Sequence, residues 1–263
     1  MIAPTTLPGA TIISATETID LDGVAHHIAY RREGALQETI MSNRDHHLDR
    51  RALIAGGALL ATLPGAARAA LPVPTGNRLA FDVVRNGKTF GSHSLTFERS
   101  GDNLVVKVAV EMVFKAAFIT LFRYRHTAIE RWAGDQVVAL DSKTDDNGKA
   151  FRVSGRREAQ GFVVEATGVP RYIAPANALP ATHWNRRELD GPWINTQDGK
   201  LVRPRVAPQG VENVPTAGAG SIRANRFVLS GDVDMDLFYD SQPSWAGLRF
   251  KGKDDSVIRY IRR

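Results

Sequence analysis

The feature that most constrains this chain is a two-residue alternation of apolar and polar side chains beyond residue 76. From Leu104 to Phe114 every even-numbered residue is apolar, whereas the odd-numbered residues include Lys107 and Glu111. Residues 119–132 continue the same period. Successive side chains of a β-strand point to opposite faces, so this period predicts strands with one buried face. No long helical period occurs after residue 76, and we therefore predict an all-β protein.

Turn residues divide this region into segments of roughly ten residues each, a spacing typical of β-hairpins. Asn86-Gly87 is a strong two-residue hairpin signal, and Asp145–Gly148 marks a second tip. Short strands joined by regular tips favour an antiparallel meander that forms a lipocalin-like barrel or a strongly curved half-barrel. Prolines exclude long regular elements between residues 170 and 192, where residues 182–188 are predicted to form one short helical turn capped by Thr182.

An export signal precedes the β region. The paired Arg50 and Arg51 stand directly before an uncharged stretch, residues 52–63, and Ala67 and Ala69 provide the small residues that a signal peptidase requires. The uncharged stretch is shorter than the about 20 residues of a membrane-spanning helix. The arginine pair and the modest hydrophobicity indicate the twin-arginine route. We therefore expect a periplasmic protein that uses the twin-arginine export machinery and has no transmembrane span in its mature form.

The signal implies a division of the chain into four parts. Residues 1–40 fit poorly in front of a signal peptide, and Met41 suits a natural start, so we expect residues 1–40 to be an untranslated upstream extension. The alternative is that residues 1–40 are a genuine N-terminal extension of the signal peptide. Residues 41–69 are predicted to be the signal peptide, residues 70–76 a proline-containing linker and residues 77–263 a single β domain.

The composition excludes several classes of function. The chain has no cysteine, which excludes disulfides, thiolate metal sites and a cysteine nucleophile. Its net charge of +6 is scattered without the runs typical of nucleic-acid-binding arms, so no nucleic-acid partner is expected. The three histidines after residue 76 lie far apart and no nucleotide-binding motif occurs. We therefore predict neither a metal nor another cofactor.

Six short motifs occur in an order that is similar to one known family. They are Gly87–His93, Glu130–Asp135, Thr144–Gly148, Thr182–Asn185, Asp236–Asp240 and Trp245–Leu248. Together they resemble the bacterial domain-of-unknown-function family 6134, whose exported β proteins often follow twin-arginine signals. This family has no established activity or catalytic residues. Its closing hairpin is similar to one in lipoprotein-carrier-like periplasmic proteins, which implies a curved sheet that holds acyl chains or hydrophobic ligands.

The polar candidates for chemistry are histidines and their acidic neighbours. His126 and Glu130 lie four residues apart on one strand face, where a histidine held by a carboxylate can act as a general base. That arrangement would suit a periplasmic hydrolase or isomerase, but both residues can equally be hydrogen-bonded to neighbours inside the barrel. His93 with Asp82 is a weaker candidate for a triad, because no serine stands in a nucleophile elbow. His183 lies in the irregular segment, where binding residues often occur.

The leading hypothesis is a non-enzymatic protein that binds a hydrophobic or amphipathic, lipid-like ligand. A barrel of about eight strands can hold a small ligand, with Arg123 or Arg125 at the rim to meet an anionic head group. The side chains predicted to line the cavity are Phe81, Met112, Phe114, Phe122, Tyr124 and Trp132. Three alternatives stay open: that these side chains only fill the core, that the protein is the enzyme described above, or that it is a structural envelope protein with a protein partner.

Overall fold

The computed structural model describes residues 71–116, 118–252 and 254–263, and nearly all regular structure there is β. The export-signal residues Arg50, Arg51, Ala67 and Ala69 and the predicted extension lie outside the described residues. No helix among the described residues has the length and apolar character needed to cross a membrane. A 3-10 helix spans Arg186–Asp190. The strands are β1 (Arg78–Arg85), β2 (Lys88–Ser100), β3 (Asn103–Ala116), β4 (Ile119–Ala133), β5 (Gln136–Asp146), β6 (Lys149–Glu158), β7 (Gly161–Ala166), β8 (Val169–Ala174), β9 (Leu179–Pro180), β10 (Trp193–Ile194), β11 (Leu201–Val202), β12 (Pro204–Pro215), β13 (Ser221–Gly231), β14 (Met235–Tyr239), β15 (Trp245–Lys251) and β16 (Val257–Arg262).

One long antiparallel sheet forms the body of the molecule. It contains 13 strands in the order β12-β13-β14-β15-β16-β1-β2-β3-β4-β5-β6-β7-β8. Neighbours in the sheet are also neighbours in sequence, except where the last strand pairs with the first and Phe81 lies opposite Arg262. The sheet is curved and does not close, so that β12 and β8 are its edges. The predicted all-β antiparallel meander is confirmed, in its open rather than its closed form.

The hairpin turns follow from the residues at their tips. Asn86 and Gly87 have φ angles of 47° and 82°, and Asn147 and Gly148 have φ angles of 51° and 92°. Positive φ at both central residues gives the turn whose twist matches that of the flanking strands, and Asn and Gly adopt it at the lowest cost. Both predicted hairpin tips are therefore confirmed.

The strand faces that the alternation predicted to be buried form the core. On β3, Leu104 and Met112 are fully buried, whereas Lys107 and Glu111 are exposed. The face of the sheet that bears this core is called the inner face below, and the opposite one the outer face. All four tryptophans of the chain contribute to the core and are at most 2% exposed. Leu71, within the predicted linker, also packs against it.

Residues 175–202, called the insert below, cover the inner face. The insert contains the 3-10 helix and a three-stranded sheet in which β10 pairs parallel with β9 and antiparallel with β11. Its Trp184 and Trp193 are buried in the core. Ser142 and Thr144 of β5 donate hydrogen bonds to insert carbonyls at 2.5 and 2.9 Å. The insert thus occupies the space that the curved sheet encloses.

A single helical turn forms in the predicted segment, but it spans Arg186–Asp190 rather than residues 182–188, and its cap is a different residue. The Asn185 side chain accepts a hydrogen bond from the Arg187 backbone N–H at 3.2 Å and caps the 3-10 helix. Thr182, the predicted cap, instead donates its hydroxyl to Glu130 on β4. The prediction of Thr182 as the cap was wrong because the helix begins four residues later, and the Thr182 hydroxyl binds a buried carboxylate, a contact that tertiary packing creates.

One strand forms where prolines had indicated irregular structure, namely β8, which contains Pro170. The long β12, outside that segment, also contains prolines: Pro204, Pro208 and Pro215. Proline cannot donate to a sheet ladder, yet an edge strand has one side without a partner strand. Both strands are edges of the sheet, so the prolines are tolerated there.

Candidate functional site

Most of the predicted ligand-binding side chains lie in the packed core. The Trp132 ring meets Trp184 of the insert at a centroid distance of 5.4 Å, and the Phe81 ring meets Trp245 at 4.2 Å. These side chains therefore contact one another and the insert, and a ligand contact stays a prediction. The predicted residues that are buried in this way are Phe81, Met112, Phe122, Tyr124 and Trp132.

Phe114 and the predicted head-group ligands Arg123 and Arg125 lie apart from those buried side chains. Phe114 is half-buried, and the Arg85 guanidinium lies 5.4 Å from the centre of its ring. Arg125 donates to Glu111 at 3.0 Å, and Arg123 donates to Asp145 at 3.2 Å. Both arginines are exposed on the outer face of β4, because odd-numbered positions there point away from the core.

His126 is held between two threonines of the interior. Its Nδ1 atom lies 2.9 Å from the Thr144 hydroxyl, and its Nε2 atom lies 3.2 Å from the Thr196 hydroxyl. Thr144 donates its single hydroxyl hydrogen to the Gln197 carbonyl, so its oxygen must accept from Nδ1–H. Nε2 then carries the lone pair and accepts from Thr196. Burial lowers the pKa of His126 to about 4, in agreement with a neutral ring.

Glu130 is fully buried and accepts three hydrogen bonds. Its Oε2 atom accepts from the indole N–H of Trp132 at 2.7 Å and from that of Trp184 at 3.0 Å. Its Oε1 atom accepts from the Thr182 hydroxyl. Burial raises the pKa of Glu130 to about 7 and outweighs these donors, which lower it, while nearby Glu188 adds to the rise.

His126 and Glu130 thus have separate sets of partners. They lie on the same face of β4, as their spacing predicted, but share no hydrogen bond among the described contacts. Both side chains are hydrogen-bonded to neighbours in the interior, which is the structural alternative to a catalytic pair.

A second buried carboxylate, Glu188, was missed in the sequence. Its Oε1 atom accepts from the Tyr239 hydroxyl at 3.0 Å and from His183 Nδ1 at 2.8 Å. Its Oε2 atom accepts from the His183 backbone N–H at 3.1 Å. These contacts hold His183 at a φ of 66°, which is uncommon outside glycine. A glutamate in a polar run resembles a solvent-exposed residue, and its spacing of five from His183 is the only sequence signal for this pairing.

A small cavity brings together the three histidines of the described region. It measures about 30 Å³ and is lined by His93, His126 and His183, among others. A volume of this size holds about two water molecules, far less than the roughly 300 Å³ of a small ligand pocket. Neither ring nitrogen of His93 has a hydrogen-bond partner among the described residues. Burial and the two neighbouring histidines lower the pKa of His93 well below its ordinary value.

The predicted pairing of His93 with Asp82 is not formed. Phe81, not Asp82, lies opposite His93 in the sheet, and Asp82 accepts a hydrogen bond from Arg263 at 3.0 Å. Asp82 therefore points to the opposite face from His93. Within residues 71–263, as far as they are described, no group of three or more histidines or carboxylates is arranged to hold a metal ion.

A larger concavity lies on the outer face. A groove of about 760 Å³ crosses β3 to β7, within the range of roughly 300–1,000 Å³ typical of small-molecule sites. Ile129 and the methyl groups of Thr127 and Thr167 give it apolar surface. The strand register aligns its outward side chains in two rows, the first with Lys107, Ile129, Asp141, Ser154 and Glu165 and the second with Thr127, Lys143 and Arg152.

Two cations of this groove lack a counter-charge. Lys143 and Arg152 lie directly opposite each other on β5 and β6, and neither side chain has an ion pair or hydrogen bond among the described residues. Directly opposed strand residues have Cβ atoms about 4.5–5.5 Å apart, and like charges there destabilise the pairing. The third cation, Lys107, is neutralised by Glu98 at 2.5 Å.

The carboxylates of the groove are already neutralised by arginines. Asp141 forms salt bridges with Arg131 at 3.1 Å and with Arg156 at 2.7 Å. Glu165 forms one with Arg171 at 3.1 Å. These acids are therefore not available to Lys143 and Arg152, and the groove keeps a positive surplus suited to an anion.

The fold and the groove define a class of protein, the open, barrel-like antiparallel β-sheet. One solved structure of this class, a β-barrel-like protein of the domain of unknown function DUF1849 from Brucella abortus, matches with a TM-score of 0.51 and 10% sequence identity. The match covers 71% of this chain and 94% of that chain, and at this identity it shows the fold alone. No curated protein matches the chain. The chain belongs to the DUF6134 family, a domain of unknown function that matches residues 81–263, as its motifs predicted.

Sequence reasoning missed the cation pair of the groove, although a signal for it exists. A two-residue turn at Asn147-Gly148 places Asp146 opposite Lys149. Counting outward from that turn then places Lys143 opposite Arg152. The groove itself had no such signal, because its concavity depends on the curvature of five strands.

Proposed function

We propose that this protein is exported to the periplasm and there binds an amphipathic, anionic ligand in the outer groove, without catalysing a reaction. The observation that carries the proposal is the pair of opposed, unneutralised cations, Lys143 and Arg152, at a partly apolar groove. The export part rests on the arginine pair and cleavage motif before residue 70.

The groove matches the two halves of such a ligand. An anionic head group between Lys143 and Arg152 removes their mutual repulsion, and the planar guanidinium of Arg152 can bind a carboxylate or phosphate through two hydrogen bonds. The apolar part lies against Ile129 and the neighbouring threonine methyl groups, where burial contributes about 25 cal/mol per Å².

The interior offers less support for either ligand binding or catalysis. The cavity beside His126 is about 30 Å³, too small for an acyl chain. The catalytic candidates His126 and Glu130 are buried and already hydrogen-bonded, so an enzyme would need the insert to move before a substrate could reach them.

Native mass spectrometry of the protein from a periplasmic extract tests the proposal. We expect a mass that begins at Ala70 and carries an amphiphile released on denaturation. Lys143→Ala/Arg152→Ala is expected to weaken uptake of a fluorescent fatty acid by about tenfold or more, because charge-assisted hydrogen bonds are lost.

The matched control is Lys88→Ala/Arg223→Ala, which removes the same charge from exposed positions outside the groove. This control is expected to bind like wild type. Equal weakening in both double variants would overturn the groove as the site. Absence of uptake by the wild-type protein would overturn ligand binding, and a protein retained in the cytoplasm would overturn export.

A further inference from the structure

The tip of the β3–β4 hairpin carries an exposed apolar patch, called the tip patch below. It consists of Phe118, Ile119 and Leu121, which are 102%, 66% and 39% exposed. Single apolar residues on a surface are ordinary, but three within four consecutive positions form a contiguous patch. By contrast, the exposed Ile173 and Val211 lie singly on the edge strands β8 and β12.

A positive charge without a counter-charge in the described structure lies beside the tip patch, in a domain with a net positive charge. Lys115 lies opposite Thr120 in the hairpin and has no ion-pair partner among the described residues. Arg123 and Arg125 follow on β4, but each is paired with a carboxylate in an exposed salt bridge, so Lys115 is the cation of this hairpin end, as far as it is described, that lacks a counter-charge. Residues 70–263 contain 28 Lys and Arg against 21 Asp and Glu, so the domain as a whole is attracted to an anionic surface.

We propose that the tip patch docks on the surface of an anionic lipid bilayer. Phe118, Ile119 and Leu121 enter the boundary between head groups and acyl chains, while Lys115 meets lipid phosphates. Apolar burial and attraction between basic residues and anionic lipids are the two terms that bind peripheral proteins to membranes.

The shape of the tip patch favours a bilayer over a protein partner. A stable protein interface buries about 800 Å² per partner on complementary surfaces, which is more than three side chains at a hairpin tip present. A lipid surface adapts to a narrow protrusion and needs no complementary shape. The docking goes beyond the proposed function. The tip patch and the groove consist of different residues, so either proposal can be wrong while the other holds.

A fluorescent label at the tip tests the docking in the full-length protein. The chain contains no cysteine, so Thr120→Cys gives a unique site for an environment-sensitive fluorophore and keeps the tip patch intact. We expect a blue shift with vesicles of phosphatidylglycerol and phosphatidylcholine, and none with phosphatidylcholine alone or at high salt. The same label at Gln209→Cys, an exposed position of β12, is expected not to shift.

A matched pair of variants assigns the shift to the tip patch. Phe118→Ser/Ile119→Ser in the labelled protein is expected to weaken the apparent vesicle affinity about tenfold or more. Ile173→Ser/Val211→Ser removes exposed apolar residues elsewhere and is expected to bind like the parent. Residues 1–70 are common to all these variants, so vesicle binding through them does not mimic this difference.

Three outcomes would overturn the docking. They are the lack of a shift with anionic vesicles, an equal loss in both serine double variants, and a shift that grows with protein concentration without vesicles, which would indicate self-association. The groove variant Lys143→Ala/Arg152→Ala is expected to keep the shift, so a failure of the proposed ligand site is distinguishable from a failure of the docking.

Discussion

Burial and hydrogen bonding compete at single residues of the interior, and Glu130 shows which of them dominates. Two indole groups and one hydroxyl donate to its carboxylate and favour the charged form. Removal from water nevertheless raises its pKa from 4.5 to about 7. His126 shows the same dominance with the opposite sign, since burial lowers its pKa from 6.5 to about 4. Both shifts favour neutral groups in the core.

Replacing Glu130 by glutamine is expected to change how the free energy of unfolding depends on pH. The folded state binds this proton more tightly than the unfolded state, so the contribution of Glu130 is fully present below about pH 4.5 and is lost as pH rises through about 7. The difference in stability, wild type minus E130Q, is expected to fall by on the order of 3 kcal/mol over that range. Urea unfolding at several pH values measures this difference.

The difference in unfolding free energy between wild type and E130Q reports the titration of Glu130 separately from that of the histidines. The lowered pKa of His126 gives stability that is present above pH 6.5 and lost as pH falls through about 4, and this contribution is common to both proteins. Gln209→Ala, which replaces an exposed side chain that does not titrate, serves as the control and is expected to give a flat difference. A difference that rises with pH would contradict the raised pKa of Glu130.

At the scale of elements, the close approach of β2 and β3 requires glycine at position 91. A Cβ atom there would lie 2.4 Å from the Glu111 carbonyl oxygen and 2.6 Å from Met112 Cγ. The methionine side chain can move, but the carbonyl belongs to the backbone of β3, which also pairs with β4. The contact therefore cannot be relieved without a shift of the central strands.

Gly91→Ala is expected to destabilise the fold by about 1–3 kcal/mol, the usual cost of overpacking. Gly218→Ala is the control, because no atom lies within 4 Å of its added Cβ, and it is expected to be nearly neutral. Urea denaturation of both variants measures the two losses. Equal stabilities of the two variants would show that β2 and β3 separate without cost.

The pairing within hairpins was largely accessible from the sequence, whereas the proline-containing edge strand β8 was not. The alternation on β3 and the turn at Asn86-Gly87 are local properties, and both predictions are confirmed. The prolines from Pro170 onward led to a prediction of irregular structure over the residues that form β8, because the sequence does not state which strands will be edges. That property follows from the order of the whole sheet.

At the scale of the whole molecule, the two ends of the β domain meet in the interior of the sheet. β16 pairs with β15 on one side and with β1 on the other, and it brings Arg263 to Asp82, 181 positions away along the chain. Without β16 the sheet separates into two parts. Pairings between such distant segments make folding slow, because the loop closure is unfavourable until the last strand is in place.

A proline in β16 is therefore expected to disrupt the whole sheet. Arg259 pairs with Val84 and with Arg249, and its exposed side chain means that Arg259→Pro tests the backbone alone. We expect a loss of about 3 kcal/mol or more, measured by circular dichroism during denaturation. Gln209→Pro, at the bulge of the edge strand β12, is expected to cost much less. Equal losses would contradict the central role of β16.

The sequence by itself determined the strand faces, the two-residue turns and, through them, the register of hairpins such as the one that opposes Lys143 and Arg152. These properties depend on side-chain alternation and on local backbone preferences. Only the tertiary structure decided that the sheet stays open and that the insert fills its inner face. It also decided that Glu188 meets His183 and Tyr239 there. An alternating pattern shows which face is buried but not what buries it, because contacts between distant segments depend on the packing of the whole chain.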